Sequence, residues 1–357
     1  MIYERIQLHR SCISIGTDCL RECLESGALS GYSSHFVLSQ EPVWRLHGPD
    51  LIDKLAGLGI RPEIRLVPDG EPAKNLQTFS SLVTWLARAK ADRKSLLTVL
   101  GGGVVGDLGG FVASAFMRGI DWFYIPTTLL AQQDASIGGK VAVNLPEGKN
   151  LVGHFWHPRA VIMDSRLLAT LPQRQVHAGF MELLKHGMLH GPDFFESILK
   201  IPADTVDWSG HLDILTAGLK VKVAIVEEDP FEENKRRLLN LGHTLGHALE
   251  RHAGYGSLLH GEAVGLGLIF AAMLAQTMGS RYDWSGMAAS VRARLPPLNC
   301  DCWSLEQLLE ATKGDKKGVA GVVSWIIPYK PGKVEIVDGI SEDRLRTVLA
   351  DFLAALR

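Results

Sequence analysis

The stretch from Leu239 to Gly265, LNLGHTLGHALERHAGYGSLLHGEAVG, carries His243, His247, His252 and His260, four histidines within 18 residues. His243 and His247 are spaced i, i+4, which puts both imidazoles on one face of a helix, and His260 opens the next helical run after a glycine-containing turn. Two histidines joined by a third, distant ligand such as a carboxylate are the usual protein share of a catalytic zinc site with one open position. Thr244, not Glu, follows His243, so the H-E-x-x-H pattern of zinc proteases is absent. Upstream, GFMELLKHG sets Glu182, Lys185 and His186 at i, i+3 and i+4 of another helix. Met181, Leu183 and Leu184 surround them, so this carboxylate is expected to be only partly wet. Spacing alone leaves open which of these groups hold an ion.

Other residues have the chemistry of anion binding. In TVLGGGVVGDLGGF, Gly101, Gly103 and Gly106 have the G-x-G-x-x-G spacing that lets backbone N–H groups approach a pyrophosphate at a helix N-terminus. A plain tight turn fits equally well, because the next acid after that helix, Asp121, comes sooner than the usual ~20 residues. The turn PDGEPAKN offers Glu71 and Lys74 to a ribose or phosphate, or to solvent. In QQDASIGGKVAVNLPEGKN, Asp134, Lys140, Lys149 and Asn150 read as glycine-rich backbone outside helix and strand, where two ammonium groups would form a compact anion trap. Lys222, Arg236 and Asn240 lead into the histidine cluster. A site that used Arg118, Lys140, Lys149, Lys185, Lys222 and Arg236 together would suit a dianionic phosphate plus a carboxylate.

The elements that must position these groups divide the chain near Leu171. Up to that point the runs HFVLS, IRLVP, SLLTVLG, WFYIPTT and AVIMD read as strands alternating with helical patterns, which predicts a mainly parallel sheet flanked by helices. From Pro172 onward helical patterns dominate, with VVSWIIP and KVEIVD as a late hairpin. The expected domains are therefore 1–171, α/β, and 172–357, mainly α-helical. The 357 residues are 46% hydrophobic and 21% charged with a net charge of −2, so neither disorder nor a broad basic field for nucleic acid or an anionic membrane is expected. The apolar run Val264 to Ala275 is too short to span a bilayer. The opening MIYERIQLHRSCISIG lacks the apolar run of a secretion signal. Five cysteines, Cys300 and Cys302 among them, show no disulfide or zinc-knuckle spacing, and the expected compartment is the cytoplasm.

Taken together, GGGVVGDLGGF, IPTTLLAQQDASIGGKVAVN, GKNLVG, GFMELLKHG, RRLLNLGHTLGHALE, LHGEAV and DKK resemble the 3-dehydroquinate synthase family of sugar phosphate cyclases, from about Pro68 to Pro328. The resemblance implies an N-terminal Rossmann-like NAD domain, a C-terminal helical metal domain and a homodimer. It implies zinc, with cobalt as an alternative ion, on Glu182, His243 and His260, and gives His247 a phosphate-side or proton-relay role. It implies NAD against Asp69, Glu71, Lys74, Gly103, Val104, Val105, Gly106, Asp107, Thr127, Thr128, Lys140, Lys149, Leu167 and Thr170. The sugar phosphate is then expected at Arg118, Asp134, Lys140, Asn150, Lys185, Lys222, Arg236 and Asn240, with Lys316 or Lys317 completing the pocket. The implied reaction turns 3-deoxy-D-arabino-heptulosonate 7-phosphate into 3-dehydroquinate by oxidation, phosphate elimination, re-reduction and aldol closure. Val141 and Leu145 stand where the family usually has Thr and His. Cyclases making 2-deoxy-scyllo-inosose or 2-epi-5-epi-valiolone, and metal-dependent polyol dehydrogenases, share parts of the pattern.

Overall fold

The computed structural model describes residues 1–253, 258–298, 303–313 and 323–356. The chain divides into two compact units, Met1–Leu171 with Val206–Leu219, and Pro172–Thr205 with Lys220–Arg357. The segment Val206–Leu219 is an addition to the first unit from beyond residue 171 that the hydrophobic pattern does not signal.

The first unit is built on β1 (Ile2–Leu8), β2 (Ser11–Gly16), β3 (His35–Gln40), β4 (Glu63–Val67), β5 (Leu96–Gly101) and β6 (Asp121–Pro126). An antiparallel hairpin, β7 (Lys140–Leu145) and β8 (Gly148–Phe155), forms a separate two-stranded sheet before the last strand, β9 (Ala160–Asp164). The main sheet has the order β1-β2-β9-β6-β5-β3-β4, parallel throughout except for β1 against β2. Helices α1 (Leu20–Cys23), α2 (Glu41–Gly57), α3 (Leu76–Arg88) and α4 (Gly103–Ala115) accompany it.

Residue alternation along each strand feeds two cores, as a sheet covered on both faces requires. Phe36, Leu38, Leu97, Val99, Trp122 and Tyr124 meet Leu82 and Leu86 of α3 and Leu108 and Val112 of α4. On the other face Val37, Leu100, Phe123 and Ile125 meet Leu51 and Leu55 of α2. From β3 the chain runs outward to β4 and then returns to the other side of β3 as β5. The carboxyl ends of β3 and β5, at Gln40 and Gly101, therefore flank a topological switch point, the place where open α/β sheets bind ligands.

The hairpin corrects one expectation. Lys140, Lys149 and Asn150 lie on strands, and Lys140 stands opposite Phe155 while Lys149 follows Gly148, the partner of Leu145. Five residues of strand separate those rungs, about 16 Å at the usual rise per residue. The two lysines thus serve two places, not one compact trap.

The second unit contains α5 (Gln173–His190), α6 (Pro192–Leu199), the later part of α7 (Leu212–Glu228), α8 (His243–Ala253), α9 (His260–Thr277), α10 (Ser285–Arg292), α11 (Leu305–Lys313) and α12 (Glu342–Leu356). The expected late hairpin is present as β10 (Ser324–Lys330) and β11 (Lys333–Asp338). Helix α9 is buried on nearly every side, which identifies it as the central helix of this unit. Among the described residues no helix is long and apolar enough to cross a membrane.

Backbone meets backbone where α9 joins its neighbours. A Cβ on Gly261 would lie 1.9 Å from the Ala178 carbonyl oxygen of α5, and one on Gly267 would lie 1.8 Å from the Gly242 carbonyl just before α8. An ion pair fastens the same corner: Arg174 of α5 donates Nε and a terminal nitrogen to the two oxygens of the buried Glu262, at 2.6 and 2.8 Å. Glu262 also accepts the Leu259 N–H at 2.8 Å, closing the first turn of α9.

Gly261→Ala is accordingly expected to cost about 1–3 kcal/mol, since a methyl group here must push two backbones apart. Gly57→Ala, at a helical site with nothing within 4 Å of the added Cβ, is expected to be neutral or to stabilise by less than about 1 kcal/mol. Denaturant unfolding of both variants checks the contrast.

Candidate functional site

Three helices of the second unit bring three donor groups to one point. Glu182 on α5 is fully buried, a correction to the partly wet carboxylate expected from its neighbours. Its Oε1 lies 3.5 Å from Nε2 of His243 and 3.4 Å from Nε2 of His260, the first residues of α8 and α9. The Glu182, His243 and His260 donor atoms lie within 4.8 Å of one another. Oε2 of Glu182 pairs with the buried ammonium of Lys185, one turn further along α5.

The far nitrogen of each ring is also held. Nδ1 of His243 donates to the Leu241 carbonyl at 3.1 Å, and Nδ1 of His260 to Glu250 Oε2 at 3.1 Å. This is the outer hydrogen bonding that fixes metal-binding imidazoles. Burial, aided by the Lys185 ammonium, pushes the His243 imidazole down to about 3. Burial also opposes charge on His260, but hydrogen bonds to Glu182 and Glu250 outweigh it and push this imidazole up to about 10. The edge between Glu182 and His260 therefore attracts positive charge, which a bound divalent cation would supply. One carboxylate with two oriented imidazoles fits zinc or cobalt.

His247 occupies a different position. Its ring centroid is 5.4 Å from that of His243 and it stacks at 6.0 Å on His260, and its metal-compatible neighbours are Glu250 and His260. A cavity of ≈ 310 Å³ opens here, lined by Phe231, Glu232, Arg237, Asn240, His243 and His247 among others. Asn240 donates Nδ2 to Glu232 at 2.7 Å. Lys222 and Arg236 are buried. Arg236 is anchored through its backbone N–H, which donates to Asp229 at 2.9 Å. Burial raises the Asp229 carboxyl, but the N–H groups of Arg236, Asn234 and Glu233 together bring it below its ordinary value. Lys316 and Lys317, like Cys300 and Cys302, lie outside the described residues.

In the first unit, Gly101 ends β5, Gly102 caps α4 and Gly103 opens it. A Cβ on Gly106 would lie 2.3 Å from the Tyr124 hydroxyl, so this glycine serves helix–sheet packing. A Cβ on Gly103 would meet nothing nearer than Ala135 at 3.4 Å, so no internal contact requires that residue to be glycine. An open first turn at the switch point suits a dinucleotide pyrophosphate. Val104 and Val105 continue that turn, with Val105 in the core.

Nearby, the buried Lys74 donates to Asp107 and to Asn150 Oδ1, each at 2.5 Å. Burial raises the Asp107 carboxyl, and the Lys74 ammonium opposes that rise. Asn144, which the sequence does not single out, ties this group together: it donates to Glu71 at 2.6 Å and accepts the Asn150 N–H at 2.9 Å. The Thr127 N–H donates to the Gly101 carbonyl, and the Thr128 hydroxyl accepts the Ala131 N–H. Thr170 bonds to the Leu167 carbonyl at 3.3 Å. Asp69 and Arg118 are exposed, Asp134 sits on the helical turn Ala131–Ala135, and Val141 is buried in the sheet core.

The fold and this donor set have the form of the sugar phosphate cyclases. A crystal structure of 2-deoxy-scyllo-inosose synthase superposes with TM-score 0.85 at 26% identity, covering 98% of this chain and 99% of that one. In fold alone, at 23% identity, so does the 2-epi-5-epi-valiolone synthase of Streptomyces hygroscopicus subsp. jinggangensis 5008 with NAD⁺ and Zn²⁺ bound, with TM-score 0.83 and 99% of each chain covered. Residues 64–178 match the family profile described as 3-dehydroquinate synthase N-terminal, and 179–318 the one described as 3-dehydroquinate synthase C-terminal. The 3-dehydroquinate synthase of Vibrio atlanticus is 36% identical over 354 residues, 96% of each chain. The chain belongs to the 3-dehydroquinate synthase family.

Zinc is expected to raise the unfolding midpoint of the metal-free protein, by about 2.7 kcal/mol of stability at a hundredfold excess over Kd. Glu182→Gln should lose most of that gain. Thermal unfolding with and without zinc measures it, and an undiminished gain would remove Glu182 from the ligand set.

Proposed function

We propose that the protein converts 3-deoxy-D-arabino-heptulosonate 7-phosphate into 3-dehydroquinate and inorganic phosphate. This is a carbon–oxygen lyase step of the shikimate pathway to chorismate and the aromatic amino acids. We propose further that it works in the cytoplasm as a homodimer, with NAD and zinc, or cobalt in place of zinc. The observation that carries the reading is the cluster of the buried Glu182 and His243 with the half-buried His260 beside a cavity, with Lys185, Lys222 and Arg236 buried in the same unit. The near full-length likeness to a 3-dehydroquinate synthase supports the same substrate.

Residues 1–171 are read as the NAD domain and residues 172–357 as the metal and substrate domain. When bound, zinc lowers the pKa of substrate hydroxyls and NAD reversibly oxidises a carbinol. The chain orients these groups and manages charge. Gly103 to Asp107 offer open backbone to a pyrophosphate, Thr127 and Thr128 line the neighbouring turn, and Asp69, Glu71 and Lys74 take the ribose end, with Lys140, Lys149, Leu167 and Thr170 completing the set. Glu182, His243 and His260 hold the metal.

Ammonium and guanidinium groups are the side chains that bind phosphate and carboxylate. Lys185, Lys222, Arg236 and Asn240 are therefore assigned to the substrate's anionic and hydroxyl groups, together with Arg118, Asp134, Lys140, Asn150 and Lys316. His247, beside His243 on the cavity wall, is assigned a proton-relay role. Likeness to 2-deoxy-scyllo-inosose synthase favours a second reading, in which the substrate is a sugar phosphate lacking the carboxylate.

Phosphate release with sub-stoichiometric NAD⁺ and added zinc tests both readings. Many turnovers per NAD⁺ on the heptulosonate phosphate are expected; silence there, with turnover of glucose 6-phosphate or sedoheptulose 7-phosphate, would move the protein to a sister activity. Lys185→Ala should lower turnover by roughly 100-fold or more with zinc content unchanged. Unchanged turnover would remove Lys185 from the reaction.

A further inference from the structure

Beside the metal cluster sits a buried acid that the proposed reaction does not use. Glu250 lies seven residues after His243 on α8, so the two share a helix face. Its side chain is 8% exposed, and its Oε2 lies 3.1 Å from Nδ1 of His260. A carboxylate oxygen here accepts, so Nδ1 carries a proton, and Nε2, 3.4 Å from Glu182 Oε1, is the ring atom left to face a metal that takes the place of its own proton. His243 is oriented the same way by a weaker partner, the neutral Leu241 carbonyl at 3.1 Å. The two imidazoles are thus unequal donors.

We infer that Glu250 is the positioning residue of the metal centre, holding His260 in the tautomer protonated at Nδ1 and, through its charge, making Nε2 of His260 the stronger donor. The inference rests on the metal centre of Glu182, His243 and His260 proposed above. Helix α8 then supplies one ligand directly and orients the other. Gly246 permits this: a Cβ there would lie 3.1 Å from the Ala263 carbonyl oxygen, so α8 and α9 approach through a residue without a side chain. Among the described residues, a competing donor group shares His260. His247, Glu250 and His260 also bring donor atoms within 4.8 Å, and an ion held there would take the Glu250 oxygen and His260 Nδ1 for itself.

The test compares the full-length wild type with Glu250→Gln and Glu250→Ala. Zinc stoichiometry and affinity are read by competition with a chromophoric chelator, and the ligand-field spectrum is recorded after cobalt substitution. One zinc per chain is expected in the wild type. Glu250→Ala should bind it roughly 10–100-fold more weakly with an altered cobalt spectrum. Glu250→Gln, whose amide oxygen still accepts but carries no charge, should fall between. Thermal unfolding of the metal-free proteins separates a loss of fold from a loss of metal, because the zinc-dependent gain must shrink whatever the metal-free midpoint. Wild-type affinity and an unchanged cobalt spectrum in both variants overturn the inference while leaving the metal centre standing. Two zinc ions in the wild type, falling to one in Glu250→Ala, overturn it by making Glu250 a ligand. A wild type that binds no zinc overturns it together with the metal centre on which it rests.

Discussion

A carboxylate with no access to water governs the second unit. Glu182 is fully buried in a helix whose neighbouring residues are apolar, and an uncompensated charge in such a place costs several kcal/mol even after relaxation. The sequence supplies the compensation from three directions. Lys185 stands one turn away on the same helix, and His243 and His260 arrive at the first residues of two others. Those residues reach Glu182 only because glycines let the helices touch through their backbones, at Gly261 against Ala178 and at Gly267 against Gly242. Arg174 and Glu262 then hold the start of α9 against α5. The placing of the donors and the packing of the unit are one problem with one solution.

The first unit has a different feature, bare backbone left open at the first turn of α4. Its sheet is buried on both faces, so function is confined to the carboxyl edge, where strand order reverses between β3 and β5. Gly106 is needed for packing against Tyr124, whereas nothing internal explains Gly103. The second fact is the more telling about a ligand. Lys74, held between Asp107 and Asn150, ties the turn after β4, helix α4 and the β7–β8 hairpin into one polar network.

Much of this was legible in the sequence, because periodicity reports burial directly. Five of the seven strands of the main sheet, β3, β4, β5, β6 and β9, and the late hairpin follow from apolar runs bounded by turn residues, whereas β1 and β2 do not stand out. Helix α2 is obscured by Gly48 and Pro49 in its middle, and β7–β8 by exposed positions and a Pro-containing turn, which break the alternation that marks a half-buried strand. The distance between Lys140 and Lys149 depends on hairpin register, which residue types alone do not encode. Among the histidines, spacing makes His243 and His247 equal candidates. Only the way α9 crosses α8 separates His247 from the Glu182 side. Glu250 is hidden for the same reason, since an acid near a helix end ordinarily reads as a solvated surface charge.

The most direct measurement is anomalous diffraction at the zinc edge from crystals grown with zinc and NAD⁺. One strong peak is expected about 2.0–2.2 Å from a Glu182 carboxylate oxygen and from Nε2 of both His243 and His260. A peak on His247 and Glu250, or none at Glu182, would contradict that expectation.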